Sequence, residues 1–199
     1  MEYFIHTYCH IKENTISVNG EPFFASAALT VPEFLKEAYQ KLAISYPKFH
    51  KMDKMSKLAL ISSEITLKGV ENGENVALVF SNCAASLDTD INYQESISLP
   101  DNYYPSPAVF VYTLPNICVG EVSIRHGLNT ENAFFVSAGF DADKINAYTE
   151  YLLQSGKAEK VLVGWLEVLE NNYECFMYLV DTKGSIPYSK QQIITIYNR

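Results

Sequence analysis

The run NVALVFS at residues 75–81 is apolar at successive positions rather than at alternate ones. A strand of that kind turns apolar side chains to both faces of its sheet, so both faces must be covered. It reads as a buried parallel strand. The segments around it fit the same scheme. EYFIHTYCHIK reads as an opening strand, and TVPEFLKEAYQKLA as a helix that starts at Thr30, ahead of Pro32 and Glu33. Phe34, Leu35, Ala38 and Leu42 fall on one face of that helix. MDKMSKLALISSEITLKG spaces Met55, Leu58, Ala59, Ser62 and Ile65 as a second helix, stopped at Gly69.

Residues 82–105 read as a polar, irregular connection. SPAVFVYTLPNICVGEVSIRHGL reads as two helical pieces broken near Pro115. A buried strand is expected at 133–137 and a helix at 142–155. KVLVGWLEVL (160–169) and YECFMYLVD (173–181) follow as a hairpin joined at ENN, and QQIITIYN as a last strand. Strands alternating with helices and closing on a hairpin predict an α/β fold, with a mixed, mostly parallel sheet flanked by helices. Right-handed crossovers are expected in its parallel part. The 199 residues contain no repeat or low-complexity linker, so a single domain over 1–199 is expected.

A net charge of −8 argues against nucleic acid or an anionic membrane as partner, since both select basic patches. No apolar stretch approaches the roughly 20 residues that span a bilayer. The N-terminus carries no basic region followed by a long apolar run, so a cytoplasmic location is expected. The four cysteines, Cys9, Cys83, Cys118 and Cys175, form no CxxC pair and read as free thiols. His6, Cys9 and His10 come nearest to a metal cluster, but strand alternation puts Cys9 opposite the two histidines. No metal and no cofactor is expected. Cys118 is a candidate nucleophile set against a packing role on an apolar helix face. His126 lies over two helical turns from it, so no dyad is implied.

AFFVSAGFDADKINAYTEYL (133–152) is the most suggestive stretch. It reads as strand, tight turn and helix opening, a junction where a helix N-terminus can stabilise a developing anion. Gly139 occupies the turn and has no side chain to react.

Four stretches, in order, resemble the N-terminal half of a β-ketoacyl synthase of the thiolase fold. YPKFHKMDKMSKLAL resembles a basic, Met-Asp-containing lead into a helix, and NVALVFSNCAAS the strand and loop after it. SPAVFVYTLPNICVGEVSIRHGL resembles a region with a Pro-Asn step ending in Gly-Leu. NAFFVSAGFDADKINAYTEYLLQSGKAEKVLVGWLE resembles the nucleophile strand, its helix and the next strand. The resemblance covers about residues 45–168. It implies half of a thiolase-like fold, with Gly139 at the position of the family's acyl-accepting cysteine. It also implies catalytic histidines in a second half that does not follow in this sequence, so no catalytic residue is expected here. Phe140, Asn116 and Phe110 become candidates for an acyl channel or partner interface. Cysteine-less relatives of this kind resemble chain-length factors, including those of aryl polyene assembly. The implied partners are a full-length ketosynthase or a second copy, and an acyl carrier protein. An acyl-binding homodimer or scaffold, and an enzyme using Cys118, are the competing readings. The apolar helices, including 107–125, are expected to leave a patch larger than a monomer exposes.

Overall fold

Seven consecutive buried residues, Val76–Asn82, form strand β4 inside an eight-stranded mixed sheet. The computed structural model describes residues 2–98 and 103–199. Before β4 come β1 (Phe4–Lys12), β2 (Thr15–Val18), β3 (Glu21–Ala25), helix α1 (Val31–Lys41), a 3-10 turn (Pro47–Lys51) and α2 (Lys54–Thr66). After it come α3 (Leu87–Ile97), α4 (Pro107–Val111), α5 (Ile117–His126), β5 (Asn132–Val136), α6 (Ala142–Gln154), β6 (Lys160–Leu169), β7 (Asn172–Asp181), β8 (Ile186–Pro187) and α7 (Lys190–Tyr197). The sheet order is β3-β2-β1-β7-β6-β4-β5, with β8 beside β1.

β4 pairs in parallel with β5 on one side and β6 on the other. The remaining pairings are antiparallel, which corrects the expectation of a mostly parallel sheet. The reason lies in tight turns that the opening segment contains. Glu13 and Asn14 have φ of 48° and 56°, and Asn19 and Gly20 have 54° and 86°, so β1, β2 and β3 fold back on one another. The expected ENN hairpin between β6 and β7 is present, with Leu169 opposite Asn172.

Two cores lie on opposite faces. The first packs α1, α2 and α5 against the sheet through Phe34, Leu35, Leu58, Ile61, Val119 and Val122. The second packs α6 and α7 through Ile145, Leu152, Leu153, Ile193 and Ile196. α1 begins at the expected place: Thr30 and Glu33 form a reciprocal capping box, with Pro32 in the first turn. α2 is buried on nearly every side between α1, α5 and the strands β1, β6 and β7. It can contain Ser62, Ser63 and Thr66 because each hydroxyl donates to a carbonyl of its own helix, Leu58, Leu60 and Ser62 respectively.

Three expectations fail. The connection 82–105 contains α3, a largely exposed helix without a continuous apolar stripe; its residues 99–102 lie outside the described residues. β5 is half exposed rather than buried, because it is the outer strand of the sheet. The tail forms helix α7: Ser189 Oγ accepts from the Gln192 N–H at 3.2 Å, and Ile193 and Ile196, three apart, bury on the second face.

Leu58 is fully buried at the centre of α2. Leu58→Ala is expected to destabilise the fold by about 2–5 kcal/mol, read from denaturant unfolding. A cost below that range would mean that α2 is not the pillar of the first core.

Candidate functional site at the β5–α6 turn

The chain runs from β4 to β5 through α3–α5, and from β5 to β6 through α6. The helices of the two crossovers cover opposite faces of the sheet. Two crossovers of one hand that travel in opposite directions require this. The crevice at the carboxyl ends of β4 and β5 is therefore a topological switch point, where open α/β sheets place ligands. The Ser137 N–H donates to the Asn82 carbonyl at 3.0 Å and closes the two strand ends together.

Ser137, Ala138, Gly139 and Phe140 make the turn. Gly139 is exposed, its φ is not in the left-handed region, and a Cβ there would meet nothing within 4 Å. A side chain would fit, so the glycine is not demanded by backbone conformation. Asp141 caps α6, its Oδ1 accepting from the Lys144 N–H at 3.0 Å. Asp143 follows in the first turn and pairs with Lys190 at the start of α7. The positive end of the α6 dipole is thus already met by two carboxylates.

Phe140 turns inward. Its ring lies 4.6 Å from Tyr197, 5.6 Å from Phe176 and 6.1 Å from Trp165, centroid to centroid. Beneath this cluster the Tyr197 hydroxyl donates to Glu174 Oε2 at 2.8 Å, while Glu174 Oε1 lies 2.9 Å from His10 Nε2. The His10 hydrogen bond holds the Glu174 carboxyl below its ordinary pKa, and burial followed by the Glu174 contact pushes the Tyr197 phenol up. Phe140 is therefore part of the packing that holds α7 on the sheet. Phe110 is exposed on α4 with its ring 5.5 Å from Tyr93, and Asn116 is exposed at the start of α5 without a side-chain cap bond. Both belong to the segment that packs on the first face, whereas Phe140 packs on the second. One chain does not bring the three candidates together.

Glu167 was not singled out in the sequence, yet it shapes the crevice. Its carboxylate accepts from the Cys83 N–H at 2.6 Å and the Ala84 N–H at 3.2 Å. Asn82 Oδ1 accepts from the Ala85 N–H at 3.0 Å, where Ala85 has φ of 50°. The Asn82–Ala85 bond is local, but only the pairing of β4 with β6 brings Glu167 to Cys83 and Ala84, so spacing along the chain could not have revealed that contact.

The other reactive candidates are structural. Cys118 is fully buried, burial pushes its thiol well above the ordinary value, and its S–H donates to the Pro115 carbonyl at 3.2 Å. That is a packing position. His126 lies 3.0 Å from Ser63 Oγ, but that hydroxyl is buried and also bonds Leu60. A bulge between Ile5 and Thr7 breaks the alternation of β1, leaving His6 exposed and His10 buried. No group of three His, Cys, Asp or Glu side chains suited to a metal occurs among the described residues.

Comparison with known proteins fits this geometry. No protein-family model and no curated protein matches the chain. Solved structures do. The ishigamide ketosynthase/chain length factor superposes with TM-score 0.68 at 16% identity, covering 91% of this chain and 62% of that one. A ketosynthase (ApeO) in complex with its chain length factor (ApeC) from Xenorhabdus doucetiae gives TM-score 0.63 at 13% identity, covering 100% of this chain and 91% of that one. AntDE:AntF, a type II polyketide synthase acyl-carrier protein in complex with its ketosynthase, gives 0.62 at 14%, covering 90% and 62%. The chain thus spans less than two thirds of the length of two of these three. The fold is that of the thiolase-like ketosynthases and their chain length factors. The expected α/β half-fold, a mixed sheet flanked by helices, is the one observed.

Native-state alkylation with iodoacetamide is expected to modify Cys83 alone, because Cys9, Cys118 and Cys175 are buried. Gly139→Cys should fold and add a second modified site, since the position is open and exposed. A folded variant whose new thiol stays unmodified would show that the turn does not present residue 139.

Proposed function

We propose that the chain is a non-catalytic ketosynthase-like subunit of the chain-length-factor type. It pairs with an active β-ketoacyl-acyl-carrier-protein synthase in fatty acid, polyketide or aryl polyene biosynthesis in the cytoplasm. One observation carries the reading: the strand–turn–helix junction that would present a nucleophile holds Gly139, exposed and unhindered, with no thiol. Acyl transfer of this kind needs a thiolate to take the acyl group and preorganised donors for the charge that develops. The buried Cys118 supplies neither, which disfavours the reading of an enzyme built on it.

A pairing role is supported by the edge of the sheet. β5 is an outer strand, and its segment Asn132–Val136 carries no charge and no proline. Sheet edges are normally guarded by such residues, because the free N–H and C=O groups template further strands. Val136 is 53% exposed at the end of that strand. Phe110 and Val111 on α4, Leu114 just after it and Ile124 on α5 are exposed as well, whereas Cys118, Val119 and Val122 of α5 are buried on the side that meets α2. Exposed apolar residues thus occur across 107–125, three of the four at or just after α4. An edge without charge accepts a strand from a ketosynthase or, antiparallel across a two-fold axis, from a second copy. The neighbours include ketosynthases in complex with a chain length factor or an acyl-carrier protein, which supports the synthase as partner and a carrier as visitor. With a net charge of −8, this subunit leaves the basic docking surface for an acidic carrier to its partner.

Light scattering on the chain mixed with an active β-ketoacyl synthase from the same source is expected to give a one-to-one complex, and a dimer for the chain alone at micromolar concentration. Val136→Asp, which puts a charge on the open edge, should weaken association by about tenfold or more, roughly 1.4 kcal/mol, with unchanged circular dichroism. A monodisperse monomer that ignores the synthase would overturn the reading.

A further inference from the structure

On the first face, apart from the β5–α6 turn, a cavity of about 250 Å3 lies between the start of α2, α3 and α4. It is smaller than the roughly 300–1,000 Å3 of sites for drug-sized ligands, so it suits a fragment-sized molecule. Its lining combines Lys51, Lys54 and Lys57 with the apolar Met52, Ala108 and Val109 and with Tyr112.

The charges are unevenly matched. Lys54 is committed, 2.9 Å from Asp88 Oδ1 and donating to the Glu170 carbonyl at 3.1 Å. Asp88 in turn accepts from the Glu170 N–H at 2.9 Å. Asp53 is committed too: Oδ1 accepts from the Ser56 N–H at 3.0 Å and Oδ2 from the Thr89 hydroxyl at 3.3 Å. Burial raises its pKa. Lys57 lies 5.8 Å from the Phe49 ring centroid and makes no ion pair within 4.0 Å among the described residues. Burial lowers its pKa, against the pull of Asp53. Three lysines and two aspartates thus line the cavity, a local positive balance in a chain of net −8. A half-buried ammonium without a close anion is costly, and a small anion beside it relieves the cost.

We propose that this cavity binds a small amphipathic carboxylate, its head on Lys57 and its hydrocarbon stem against Met52, Val109 and Tyr112. The two halves of the site demand both properties at once. A hydrophilic anion leaves the apolar lining wet, and an alcohol leaves Lys57 unmatched. The site includes no residue of the β5 edge, and it meets α4 through Ala108 and Val109 rather than through Phe110 or Val111.

Calorimetric titration of the intact chain with hexanoate, 1-hexanol, hexylamine and inorganic phosphate tests this. Hexanoate should bind saturably and about tenfold or more tighter than hexanol or phosphate, with no binding of hexylamine. Lys57→Met should lose the preference of hexanoate over hexanol, and Lys57→Arg should keep it. Val109→Trp, which fills the cavity from α4, should abolish binding of both. Equal affinity for hexanoate and hexanol, a preference for phosphate, hexanoate binding unchanged in Lys57→Met or Val109→Trp, or no binding at millimolar hexanoate would each overturn the proposal.

Discussion

The fold depends on β4 having to be covered twice. Its seven residues are all buried, and it is flanked in parallel by β5 and β6. Parallel neighbours cannot be joined by tight turns, so the chain must leave the sheet and return twice. The first return brings α5 across one face and the second brings α6 across the other. Both faces of β4 are closed in this way, and the β5–α6 turn is left at the carboxyl end of the switch. The candidate site is thus a by-product of closing the core.

At that turn the local chemistry is as important as the position. Gly139 is neither strained nor crowded, so no backbone requirement explains its lack of a side chain. The residue after it is spent on packing, with Phe140 joining Trp165, Phe176 and Tyr197 beneath α7. Glu174 links that helix to His10 of the first strand, and Glu167 ties the loop after β4 to β6. The turn is supported on both sides by packing and capping and carries no thiol. Such a turn suits a surface that shapes what a neighbour does.

Legibility in the sequence followed the strength of local signals. The uninterrupted apolar runs of β4, β6 and β7, the capping box of α1 and the apolar spacing of α2 were each readable without tertiary context. The two hairpins at Glu13-Asn14 and Asn19-Gly20 were overlooked, although Asn-Gly is a strong turn signal. α7 misled because Ile193, Ile194, Thr195 and Ile196 favour strands, while the Ser189 cap and the face presented by Ile193 and Ile196 decide for helix. α3 was unreadable for the opposite reason: it is polar and exposed. Within the site, the empty turn was visible as a string of small residues. The inward direction of Phe140 and the reach of Glu167 were not, since both depend on partners 25 or more residues away in the chain.

The central claim, a ketosynthase-like platform that works through a partner, is tested most directly by product analysis. The purified chain is incubated with malonyl- and acyl-carrier substrates, alone and together with the partner synthase. No condensation product is expected from the chain alone, and the distribution of product lengths is expected to differ between the pair and the synthase by itself. Condensation product from the chain alone, or a distribution that the chain leaves unchanged, would contradict the account.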